Sequence, residues 1–100
     1  MAQILYVDDD TTVGAILHDT LFRMGHQPFG AANIPEALGV LQSESLDLII
    51  LDQRMPGMTG LEFLEYLREE GTEIPVIMLT GHGSIAHAAA AINAGAVDYI

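Results

Sequence analysis

The chain of 100 residues has no cysteine, no tryptophan and no lysine. Without thiols, disulfides and thiolate metal sites are excluded. Its permanent bases are Arg23, Arg54 and Arg68, set against 14 acids for a formal charge of −11. Such a chain offers no basic patch for a nucleic-acid backbone or an anionic membrane, so neither is expected as a direct partner. A cation, or a protein with a basic face, suits it better. No apolar run approaches about 18 residues, and no basic segment leads into an apolar one at the N-terminus, so a cytoplasmic location is expected. What is there in quantity is apolar: 50% of the residues. That is enough for one small globular domain with a single core, and the length allows no more.

Apolar runs alternate with stretches of helical periodicity, with no linker or repeat between them, as in a βαβ series. A first strand covers Gln3 to Val7. A helix follows with apolar residues at Val13, Ile16, Leu17, Leu21 and Met24, closed by Gly25. A weak strand around Gln27 to Gly30 precedes a second helix carrying Ile34, Ala37, Leu38 and Leu41, capped by Asn33 with Pro35 in its first turn. "LDLIILD" is apolar on both faces, as a central parallel strand must be. After the "QRMPGM" loop, Thr59 and Glu62 form a capping box for a third helix with Leu61, Leu64 and Leu67 inward. "IPVIMLT" is a fourth strand. Ser84 caps a fourth helix that carries Ile85, Ala88, Ala89 and Ile92 and closes at Gly95, and "AVDYI" begins a fifth strand.

This alternation defines a doubly wound parallel α/β sheet. In such sheets functional groups gather at the carboxyl ends of the strands, where strand order reverses. With the order 2-1-3-4-5 that one branch of these folds uses, Asp8, Asp9 and Asp10 after strand one meet Asp52 after strand three and Thr80 after strand four.

The stretch "QILYVDDDTT" ends a buried strand with carboxylates side by side, an arrangement that repels itself unless a cation or hydrogen bonds take up the charge. An all-oxygen mouth suits Mg²⁺, which binds through a few carboxylates and keeps water and phosphate oxygens as its other ligands. An aspartate beside such a metal can act as a nucleophile towards a phosphoryl group, and a neighbouring Thr80 hydroxyl can donate to a phosphoryl oxygen. Asp10 alone has a simpler explanation as the N-cap of the first helix. One cap needs one side chain, so this does not extend to Asp8 and Asp9.

Two chemistries fit these residues. Asp8-Asp9-Asp10-Thr11-Thr12 fits D-x-D-x-T after an apolar strand and resembles the haloacid-dehalogenase-type phosphohydrolases. That resemblance implies Asp8 as nucleophile and Asp10 as general acid. It also requires a lysine and a later acidic pair, and there is no lysine.

A second resemblance covers essentially the whole chain. "ILYVDDD", "DLIILDQRMPGMTGLEFL", "IPVIMLTGHG" and "AINAGAVDYI", in this order and spacing, are similar to the response-regulator receiver domain of two-component signalling. The resemblance implies a flavodoxin-like fold and a phosphoacceptor that assists its own phosphorylation rather than an enzyme. Asp52 would receive the phosphoryl group from a sensor histidine kinase or a phosphotransfer protein. Mg²⁺ would be held by Asp9, Asp52 and the backbone carbonyl of Arg54, with Asp8 acting largely through water. Thr80 would be the switch hydroxyl, Tyr99 the switch aromatic, and Gly81 the small residue beside the site. An output domain on the same native chain, of a transcriptional kind, is the expected recipient of the signal.

Receivers carry a lysine just past strand five, then a last helix, and the sequence stops before both. We read residues 1–100 as a receiver domain cut from a longer protein. The missing helix is expected to bare an apolar patch and favour self-association. A third reading keeps the fold as an unphosphorylated interaction module. His18, His26, His82 and His87 lack the helical spacing of a metal pair and read as surface or loop residues, and the run Ala88 to Ala91 as helix-forming.

Overall fold

The computed structural model describes residues 1–53, 55 and 57–79, with 98–99 as backbone. The chain runs β1 (Gln3–Val7), α1 (Thr11–Arg23), β2 (Gln27–Ala31), α2 (Ile34–Ser43), β3 (Leu48–Asp52), α3 (Gly60–Glu69), β4 (Val76–Leu79) and β5 (Asp98–Tyr99). The strands form one parallel sheet in the order β2-β1-β3-β4-β5. Pro28 lies in β2, whose position at the edge tolerates a residue without an amide hydrogen.

Register explains why the central strands are apolar throughout. Leu5, Ile49 and Val76 lie side by side across the sheet, as do Val7, Leu51 and Met78. These two rows are buried, and they form one core with Phe63, Leu64 and Leu67 of α3 and Ala37 of α2. The opposite face carries Tyr6, Ile50 and Ile77 in one row. There Leu48, Ile50, Ile77 and Leu79 are half-buried.

The helix boundaries have local causes. Asn33 caps α2 by accepting from Glu36 N, and Pro35 occupies its first turn. Thr59 and Glu62 make the reciprocal capping box of α3, at 3.1 and 2.9 Å. Met24 is the C-cap of α1, and the following Gly25 takes φ +89, a conformation that side chains resist.

Two helix faces differ from expectation. Of the apolar residues on α1, Leu21 is buried, but Ile16 is 61% and Met24 65% exposed. The helix covers the β1–β2 side of the sheet, and no other described element lies over this face to complete their burial. On α3, Phe63 rather than Leu61 joins Leu64 and Leu67 in the core, while Leu61 is half-buried. The capping box sets the helix start at Gly60, and that phase turns positions 63, 64 and 67 towards the sheet. The expected fourth helix, from Ser84 to Gly95, lies outside the described residues.

Candidate functional site

β1 and β3 are neighbours in the sheet and both end in carboxylates at the same edge. Asp8 and Asp9 follow Val7, and Asp52 closes β3 in register with Leu79 of β4. Each of the three offers a carboxylate oxygen, and these oxygens lie within 4.8 Å of one another. The crevice is graded in exposure. Asp8 is 9% exposed, Asp52 half-buried and Asp9 open to solvent.

Asp8 is fixed by local bonds. Its backbone N donates to Ala31 O at 3.0 Å, and its Oδ1 accepts from Asp10 N at 2.9 Å. Asp10 turns away from the crevice. Its Oδ1 accepts from Thr12 N at 2.9 Å and Val13 N at 3.2 Å, making it the N-cap of α1. The three consecutive acids therefore divide their work. One caps a helix, and two turn towards Asp52. The N-terminus of α1 adjoins the group, and its positive dipole end offsets part of the repulsion.

The loop after Asp52 is tied to α3. Gly60 N donates to Gln53 O at 3.1 Å, and Leu61 N donates to Gln53 Oε1 at 2.9 Å. Gln53 thus satisfies two of the unpaired amides at the start of α3. A side chain at Gly60 would overlap the Asp52 carbonyl and approach Met78 Cε at 2.9 Å. Neither Gln53 nor Gly60 stands out in the sequence as a site residue. The "QRMPGMTG" stretch marks a turn and a capping box, but not which groups the turn brings back to Asp52.

Of the expected site residues, Asp8, Asp9 and Asp52 come together. Thr80, Arg54 and Gly81 lie outside the described residues, as does the side chain of Tyr99, whose backbone pairs with Met78 in β5. Two histidines hold structural bonds. His18 Nδ1 is 2.9 Å from the Tyr6 hydroxyl. His26 Nδ1 accepts from Ala2 N at 3.1 Å. Burial raises the Tyr6 phenol above its ordinary value of 10.0.

The residues fit a hard divalent cation. The donors are all oxygen, they come from the ends of two adjacent strands, and the most buried is held in place by a backbone amide. The three carboxylates thus converge at the switch point of a doubly wound sheet, where open α/β domains bind their ligands.

Comparison with known proteins narrows the class. Residues 4–100 match the family described as the response regulator receiver domain, and the chain belongs to that family. It is 36% identical over 99 residues to the response regulator protein FleR of Pseudomonas aeruginosa, covering 99% of this chain and 21% of that protein. It superposes on the Vibrio cholerae chemotaxis protein CheY4 with a TM-score of 0.92 at 33% identity, covering 100% of this chain and 85% of the other. It also superposes on a Burkholderia pseudomallei response regulator solved with a phosphorylated aspartic acid, calcium ion and citrate. There the TM-score is 0.88 at 29% identity, over 99% of this chain and 58% of that one. The chain spans 21% of the length of FleR and 43% of that of the response regulator MprA of Mycobacterium avium, so these relatives extend well beyond the matched region. Among the described residues, no helix is long and apolar enough to cross a membrane.

Proposed function

We propose that this chain is a phosphorylation-controlled switch in which Asp52 accepts a phosphoryl group from a phosphohistidine on a kinase or phosphotransfer partner. The observation that carries this reading is the meeting of Asp8, Asp9 and Asp52 at the ends of adjacent strands, with carboxylate oxygens within 4.8 Å.

In the proposed reaction a carboxylate oxygen of Asp52 attacks phosphorus as the phosphorus–nitrogen bond to the histidine breaks. The electron pair leaves with the imidazole, and the product is an acyl phosphate. Asp8, Asp9 and Asp52 would hold Mg²⁺, with the backbone carbonyl of Arg54 as a further ligand. When bound, that ion would neutralise charge on the carboxylates and on the incoming phosphoryl oxygens. Gln53 and Gly60 keep the Asp52 backbone against the start of α3, so the nucleophile is presented by a fixed strand end. Thr80 would follow the phosphoryl group with its hydroxyl and Tyr99 would respond through its ring. A pre-existing equilibrium would then shift on the helix-four and strand-five surface. The Burkholderia regulator, with a phosphorylated aspartic acid and a calcium ion, supports both halves of the reading.

The signal would pass to an output domain on the same native chain, of a transcriptional kind. Support comes from relatives that extend well beyond the matched region, among them a probable transcriptional regulator of Cyanophora paradoxa, 38% identical over 98 residues.

Incubation with Mg²⁺ and phosphoramidate, followed by intact mass measurement, tests the reaction. The expected result is a gain of one phosphoryl group that does not form when excess EDTA is present from the start or in Asp52→Asn. A gain that persists in Asp52→Asn contradicts it.

A further inference from the structure

We propose that the recess between α1 and the β2 edge binds a flat organic cation of the amidinium class. The recess measures about 710 Å³, within the range of small-molecule sites. It lies beside the acidic crevice, with Asp8 in the wall between them. The proposal does not depend on the phosphoacceptor reading.

Small residues create the space. Tyr6 projects from β1 beneath α1, and Gly30 beside it leaves the room that its ring takes. A Cβ on Gly30 would overlap the phenol oxygen, and one on Gly14 would stand 3.4 Å from the ring edge. The phenol oxygen is held by His18 Nδ1 at 2.9 Å, and the two rings meet edge to face at 5.8 Å. The result is an aromatic wall with a floor of glycine and alanine. Phe22 stands on the rim of the recess, 66% exposed.

Charge selects the occupant. Asp10, Asp19 and Glu36 line the recess, and among its lining residues His18 is the sole basic side chain, already engaged with Tyr6. Arg23 pairs with Asp19 at 2.8 Å, but both side chains are largely exposed, so this contact is weak and leaves acceptor sites on the carboxylate. Glu36 spends one lone pair on each oxygen, towards Ala32 N and Asn33 Nδ2, and retains others. A flat cation can lay its apolar face on the floor and set its charge beside Phe22 and Asp19, one helical turn apart, with Glu36 adding to the negative field of the recess. An anion is repelled, and a neutral analogue loses the charged contacts.

The test is an amide chemical-shift titration of the ¹⁵N-labelled chain with benzamidine, and in separate arms with benzamide and benzoate at equal ionic strength. The expected result is saturable shifts with benzamidine in residues 14–22 and 30–36, and none with benzamide or benzoate. Phe22→Ala should weaken binding by about 2- to 5-fold, the value of an exposed cation–π contact. Asp19→Asn combined with Glu36→Gln should weaken it further. All three positions are at the surface of the recess, and unchanged spectra elsewhere confirm the fold of each variant. Any of four results would overturn the proposal: no saturation, equal response to benzamide, shifts confined to residues 8–10 and 52–53, or full affinity in the double variant.

Discussion

Gly60 abuts the backbone carbonyl of Asp52 so closely that no side chain fits between them. The contact joins the end of β3 to the first residue of α3. Its neighbours reinforce it, because Gln53 receives the Gly60 amide on its carbonyl and the Leu61 amide on its side chain. Gly60→Ala should therefore displace the strand end or the helix start. The expected cost is about 1–3 kcal/mol, read by urea unfolding, together with slower modification of Asp52. Wild-type stability in this variant would contradict the packing described.

The three carboxylates repel one another when no cation is bound. Asp9→Asn removes one charge from the group and should raise the melting temperature measured in EDTA. The same change should abolish most of the rise that Mg²⁺ gives the unsubstituted chain. That rise corresponds to about 2.7 kcal/mol at a hundredfold excess over the dissociation constant. Paired thermal melts with and without Mg²⁺ separate the two effects.

Asp10 belongs to the helix and not to the crevice. Asp10→Ala is expected to cost about 0.5–2 kcal/mol through loss of the bonds to Thr12 and Val13, and to leave Mg²⁺ affinity within a few-fold. A loss of metal binding as large as that of Asp9→Asn would reassign the residue to the site.

Phe63 is fully buried and stacks on Tyr66 with ring centroids 6.3 Å apart. Phe63→Ala should cost about 3–5 kcal/mol. Tyr66 is 38% exposed, so Tyr66→Ala is expected to cost far less. Chemical denaturation of the two variants side by side checks the ranking.

Much of this architecture can be read from the residues. Strand ends, the Asn33 and Thr59 caps and the proline in α2 follow from local chemistry that acts over a few positions. The sheet order came from analogy with doubly wound folds, because pairing between β1 and β3 depends on contacts across the chain. The meeting of Asp8, Asp9 and Asp52 followed from that order. Legibility failed where tertiary packing overrides local pattern. Ile16 and Met24 have the right helical spacing, yet their burial depends on what lies over the sheet beyond α1. Phe63 was missed although the capping box was read correctly, because the evenly spaced Leu61, Leu64 and Leu67 suggested one face, whereas the sheet meets positions 60, 63, 64 and 67. Gln53 and Gly60 carry no pattern that marks them, since their role lies in which loop returns to the strand end.

The account rests on Asp52 as the acceptor, and the most direct measurement is to trap its acyl phosphate. The chain is incubated with Mg²⁺ and phosphoramidate, reduced with borohydride, and the converted aspartate located by peptide mass. The account predicts conversion at Asp52. Conversion at Asp8 would contradict it and move the chemistry to the first aspartate of the D-x-D-x-T stretch.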